Sequence, residues 1–150
     1  MKTLKTYLII LLSAMAFSSC STDKTMIAKG VDLNKYEYAS LTQTKNAFGT
    51  ATDIEIEPGI YEAIESTRLQ MVGDRRIEEL SAEQKEKLVL VKYTATSTPE
   101  QSVLSASFED YMTGKTVASC RASNRGAWTR QRDVDHAIRK LAGRIASIWR

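Results

Sequence analysis

Leu88-Val-Leu-Val-Lys-Tyr-Thr-Ala-Thr96, Leu104-Ser-Ala-Ser-Phe-Glu109 and Thr116-Val-Ala-Ser-Cys-Arg-Ala-Ser123 decide the fold, because each alternates apolar and polar residues with period two. Val89, Val91, Tyr93 and Ala95 share one face of the first stretch, with Lys92, Thr94 and Thr96 opposite. Leu104, Ala106 and Phe108 alternate with Ser105, Ser107 and Glu109, and Ala118, Cys120 and Ala122 with Ser119, Arg121 and Ser123. One face on the core and one in water is the signature of an antiparallel sheet. Ser97-Thr-Pro-Glu100 and Asp110-Tyr-Met-Thr-Gly-Lys115 supply the two reversals, the second with Gly114 free to take positive φ.

Working outward, Val134, Ile138, Leu141, Ile145 and Ile148 form a helical stripe that Ala137 and Trp149 widen. Asp133 is placed to cap this helix, and Gly143 inside it is expected to pack closely on the sheet. Upstream, Pro58 suits the first turn of a helix carrying Ile60, Ala63, Ile64, Thr67 and Met71, with Gly73 as its stop. Glu55, Glu57 and Glu62 favour the positive end of its dipole. Arg75 to Lys87 reads as a solvated helical turn or loop, and Thr42 to Thr52 as a long loop. Tyr36 and Tyr38 alternate with Lys35 and Glu37, giving a first strand over 32–41. The expected fold is α+β in the order β-α-β-β-β-α: a two-layer sandwich of about four antiparallel strands with two helices on one face.

The chain opens with Lys2 and Lys5, the apolar run Tyr7 to Phe17, and Ser18-Ser19-Cys20. That run falls short of the roughly 20 apolar residues a permanent span requires. The pattern resembles a bacterial lipoprotein signal peptide, which implies cleavage before Cys20 and acylation of its thiol and new amino terminus. Residues 1–19 are thus expected to be a leader, 20–31 a lipidated tether and 32–150 one domain. Several acyl chains anchor a protein stably where one is marginal.

Removal of the leader leaves 131 of 150 residues, enough for one core. Lys2 and Lys5 depart with it, so basic residues fall from 21 to 19 against 18 acidic, and net charge from +3 to +1. Nucleic acid is not an expected partner, since phosphate-backbone binding relies on a strong positive excess. Cys20 and Cys120 are the two cysteines, and acylation of the first leaves the second without a disulfide partner.

Lys35-Tyr-Glu-Tyr38, Ile60-Tyr-Glu-Ala-Ile64, Leu88-Val-Leu-Val-Lys-Tyr93, the Asp110 to Lys115 reversal and the terminal amphipathic helix resemble small Gram-negative envelope lipoproteins with a conserved domain of unknown function. The layout is similar to domains of the curli-secretion lipoprotein, the TolB amino-terminal domain and lipoprotein activators of penicillin-binding proteins. The resemblance covers about 32–150 and implies a non-enzymatic domain working in envelope assembly. It carries over no catalytic residue, cofactor or metal.

The residues point the same way. His136 is the sole histidine, and neighbouring helix positions point about 100° apart, so Asp135 does not converge on it. Zinc wants three or four converging ligands. Cys120, between alanines on the core face, is expected to be an inert small hydrophobe. The candidate binding feature is basic: Arg121, Arg125, Arg130, Arg132 and Arg139 crowd the last 30 residues around Trp128. Such a cluster suits an anionic partner, with the tryptophan as aromatic anchor. The expected function is an outer-membrane-anchored lipoprotein, facing the periplasm, that binds an envelope protein as an assembly module. The alternative is capture of anionic lipid, lipopolysaccharide or glycan by the Trp128-bearing end.

Overall fold

The computed structural model describes residues 23–42, 53–98, 100–126 and 129–150. The leader, Cys20, nearly all of the 42–52 loop and Trp128 lie outside the described residues. In chain order come β1 (Lys24–Ile27), a 3-10 turn (Leu33–Lys35), β2 (Tyr38–Leu41), α1 (Asp53–Glu65) and β3 (Gln70–Met71). A second 3-10 turn (Asp74–Glu79), α2 (Ala82–Glu86), β4 (Leu88–Ser97), β5 (Gln101–Asp110), β6 (Thr116–Arg125) and α3 (Arg130–Ile148) follow. The fold is α+β, with one mixed six-stranded sheet in the order β1-β6-β5-β4-β2-β3.

The three long antiparallel strands follow the alternation. Val91 lies opposite Phe108 and Phe108 opposite Ala118; Tyr93 lies opposite Ala106 and Ala106 opposite Cys120. Bulk therefore falls across the sheet, from Val89, Val91 and Tyr93 on β4 to Ala118, Cys120 and Ala122 on β6. The shallow side receives α3, which packs across β5 and β6 and against α1. Val134, Ala137, Leu141, Ile145 and Trp149 fill that space and are essentially buried. The turn after β5 works as its sequence requires: Gly114 takes φ +66° and its N–H donates to the Asp110 carbonyl at 2.8 Å.

Three expectations about the strands are corrected. The sheet has six strands, not four, and is mixed, because β2 runs parallel to both β3 and β4. Parallel neighbours need a crossover, and α1 bridges β2 and β3. The expected strand over 32–41 is a 3-10 turn followed by β2, because the Asp32 carboxylate accepts from the Asn34 N–H at 3.0 Å and winds the chain there. Part of the expected tether is β1, paired antiparallel to β6 with Lys24 opposite Arg121 and Ile27 opposite Ala118. All four β1 residues are exposed, so no burial alternation marks the strand.

The helices differ in their ends. α1 begins five residues before Pro58, since Ile56 and Ile60 both reach the core. It stops at Glu65 rather than near Gly73, because the Ser66 and Thr67 hydroxyls donate to the carbonyls of Ala63 and Ile64 at 2.7 and 2.6 Å. Thr129, not Asp133, caps α3, its hydroxyl accepting from the Arg132 N–H. The expected close approach at Gly143 is absent, for nothing stands within 4 Å of where its Cβ would be. The tight contact is at Gly59, where a Cβ would meet Ile138 Cγ2 at 2.7 Å.

A buried carboxylate ties the first 3-10 turn to the β5–β6 hairpin. Asp110 accepts from the Tyr36 hydroxyl at 2.8 Å, Lys35 Nζ at 3.1 Å, and the Thr113 N–H and hydroxyl at 2.8 and 3.0 Å. Burial works to raise its pKa, but the hydrogen bonds from Tyr36, Lys35 and Thr113 outweigh it and hold it at about 2, below the ordinary 3.8.

Gly59→Ala is expected to destabilise by about 1–3 kcal/mol despite alanine's better helix propensity, because the β-branched Ile138 cannot swing its Cγ2 away. Placed on an Ile138→Ala background, the same change becomes neutral or stabilising. Gly143→Ala, facing open space, gains about 0.5–1 kcal/mol. Urea unfolding of the four variants reads all three effects. Asp110→Asn is expected to cost about 2 kcal/mol near neutrality. The depressed carboxyl stabilises fully above about pH 4 and loses its contribution as pH falls toward 2, so the variant's stability flattens in that window.

Candidate functional site: the outer face of the sheet

The sheet face opposite the helices is built from the polar alternate positions of the long strands. Two rows cross it. Lys92 lies opposite Ser107, Ser107 opposite Ser119, and Ser119 opposite Met26. Next to it, Thr94 lies opposite Ser105, Ser105 opposite Arg121, and Arg121 opposite Lys24. The serines leave a shallow depression of about 270 Å³ whose walls include Lys24, Met26, Lys92 and Arg121. A wider hollow of about 570 Å³ lies between α1 and the turn after β3, but its Glu57, Asp74 and Arg75 mix both signs. Of these two hollows, the outer-face depression is lined by cations without an acidic residue.

Lys92 is paired with Glu109 at 2.6 Å. Lys24 and Arg121 have no ion-pair partner among the described residues and stand exposed, side by side on adjacent strands. β1 is fixed by a polar clasp at its start. Asp23 accepts from the Ser123 N–H at 2.7 Å and hydroxyl at 3.0 Å, and pairs with Arg144 at 3.4 Å. Arg144 also donates to the Thr25 hydroxyl at 3.2 Å. Burial works to raise the Asp23 pKa, yet the Ser123 hydrogen bonds and the Arg144 and Lys140 charges bring it below the ordinary value.

The basic C-terminal residues do not form one patch. Arg121 belongs to the outer face, and Arg125 ends β6 with a hydrogen bond to Gln101 Oε1 at 3.0 Å. Arg132 and Arg139 are exposed on α3, with Arg139 Nη2 at 3.2 Å from His136 Nδ1. Arg130 opens α3, and its side chain and Trp128 fall outside the described residues. Lys140 is spent on the Ser123 carbonyl and Asn124 Oδ1 at 2.9 and 3.0 Å. Lys24 and Lys92 escape a sequence reading centred on the C-terminal run. The alternation of β4 does put Lys92 on the polar face, but nothing in the sequence marks Lys24 as strand.

The other chemical candidates are occupied or scattered. Asp133 is buried and accepts from Asn124 Nδ2 at 2.7 Å. Burial pushes the Cys120 thiol up to about 12. Among the described residues, no three His, Cys, Asp or Glu side chains gather as a metal site. What the outer face can do is bind: it offers cations and hydroxyl donors to an anion.

No protein-family model matches the chain, and no curated protein sequence matches it. Its fold is similar to that of a PelC dodecamer from Paraburkholderia phytofirmans, with TM-score 0.58 over 84% of this chain and 97% of that one at 9% identity. A variant PelC dodecamer from the same organism gives TM-score 0.57 over 83% and 99%, at 10% identity. At such identity the likeness establishes a shared fold.

Proposed function

We propose that this protein is an outer-membrane-anchored lipoprotein, acylated at Cys20, whose domain works as a non-enzymatic binding or assembly module on the periplasmic side of the envelope. The domain is read as two layers, helices over one sheet face, with the other face left for contact. The observation that carries the proposal is the place of Cys20 in the chain. It follows a lysine-flanked apolar run and precedes by three residues the Asp23 that clasps β1 to β6 and α3. The anchor thus joins the fold through a span of at most about 11 Å.

Assembly is supported by the sheet's ends. β1 and β3 are its edge strands, and edges carry unpaired N–H and C=O groups that accept further strands. β2 is not an edge, since it sits between β4 and β3. The similar PelC fold was solved as a dodecamer, which favours copies of this chain as one class of partner.

Cys20→Ser is expected to move the protein from the membrane fraction to the soluble fraction, and mass spectrometry of the wild-type amino-terminal peptide is expected to show acyl chains on Cys20. An unmodified thiol in protein from its native host overturns the proposal. Crosslinking in intact envelopes then separates the two modes of action. A protein adduct supports assembly, whereas native mass spectrometry showing a retained glycan or lipid in its place favours ligand capture.

A further inference from the structure

The geometry points to the Lys24–Arg121 row, together with Ser105 and Ser119, as a docking site for the phosphate groups of anionic phospholipids in the membrane that acylated Cys20 would enter. This inference rests on the acylation proposed above, and adds which face of the domain meets the membrane and what it binds there.

Three observations carry it. Like charges directly opposite on neighbouring strands repel and destabilise the pair, and Lys24 faces Arg121 in register. The sequence keeps that cost, and two carboxylates of the sheet are committed elsewhere: Glu109 to Lys92 at 2.6 Å and Asp23 to Ser123 and Arg144. A phosphate between the two cations turns the repulsion into two charge-assisted contacts. Around them the floor consists of small hydroxyl side chains, Ser105 and Ser119, which leave room for the anion and can donate to it.

The second argument is distance. Lys24 lies four residues from Cys20, so its backbone stays within about 14 Å of the acylated residue however the intervening chain runs. A phosphate layer at that distance is part of the same bilayer surface, and the anchor supplies it at high effective concentration. The third is the rim. Met26, in the adjoining row, is 53% exposed beside the depression. An apolar side chain next to cations on one face suits the boundary between headgroups and acyl chains.

The test uses the full acylated protein reconstituted into vesicles of phosphatidylcholine, with and without phosphatidylglycerol. Each vesicle carries a nitroxide-headgroup quencher. A fluorophore is attached through Ser107→Cys on the outer face or Arg139→Cys on α3. Cys20 is blocked by its thioether, and Cys120 is buried with a thiol pKa pushed up to about 12, so neither competes for the label. Quenching is expected at position 107, not at 139, and only with phosphatidylglycerol. Adding Lys24→Gln and Arg121→Gln lowers the docked-to-free ratio roughly 30-fold, the effect of two cations near an anionic surface. Arg132→Gln with Arg139→Gln, read through the 107 label, leaves that ratio unchanged.

Equal quenching at both positions, or quenching indifferent to phosphatidylglycerol or to the Lys24 and Arg121 changes, overturns the docking. So does self-quenching of the 107 label between protein copies, which assigns the face to a second copy of this chain. Protein that lacks the acyl mass and floats with neither vesicle overturns the anchoring itself and is distinguished by that failure to co-float.

Discussion

The approach of α3 to the small side chains of β6 governs the rest of this structure. Ala118, Cys120 and Ala122 are buried, yet they take little volume. A helix laid over β6 therefore sinks toward the sheet, and α1 packs beside it with Gly59 against Ile138. The same helix carries the chain back to Trp149, which is fully buried against Phe108 at 5.1 Å and edge-on to Tyr36 at 6.0 Å. Its ring also lies under the Arg68 guanidinium at 5.8 Å. Burying so large an aromatic contributes on the order of 2–3 kcal/mol or more. Residue 149 thus closes the core that the strand-by-strand taper opens.

Two aspartates fasten what the apolar core does not reach. Asp110 holds the first 3-10 turn, through Tyr36 and Lys35, to the β5–β6 hairpin. Asp23 holds β1 to β6 and, through Arg144, to α3. Both exchange solvation for several hydrogen bonds, and in both the bonds win over burial, which is why the carboxyl pKa values move down. Each joins segments far apart in sequence. Each therefore fixes a register that local propensity leaves open.

Legibility in the sequence followed burial. Long strands with one wet and one dry face announce themselves, and β4, β5, β6 and their inward residues lie where the period-two pattern puts them. The stripe of α3 is equally plain, because Val134, Leu141 and Ile145 recur on one side. The missed elements have no such contrast. β1 is exposed along its whole length, and β3 is two residues long. The parallel order of β2 depends on where α1 lands, which no local pattern encodes. At the site the failure has the same root. The arginines stand out as a run, but Arg121 and Arg125 fall on β6 while Arg132 and Arg139 fall on α3. The cations that share a face, Lys24, Lys92 and Arg121, come from three separate strands and are neighbours only after folding.

With Cys20 acylated as proposed, the pairing of β1 also changes how the domain is held. A free tether from Cys20 to residue 32 would reach roughly 40 Å when extended, and the domain on it would sample every orientation above the membrane. With β1 in the sheet, that freedom shrinks to the three-residue span before Asp23. The number of accessible orientations falls accordingly, and the entropy of holding one face toward the bilayer is largely met by folding rather than at the moment of contact. A weak interaction then suffices to choose among the remaining orientations. Two opposed cations near an anionic surface are worth on the order of 2 kcal/mol, too little to recruit a soluble protein but enough to orient one already attached. On that reasoning, and on the proposed acylation, the Asp23 clasp and the Lys24–Arg121 row would belong to one device: the first shortening the leash, the second deciding which way the domain lies at its end.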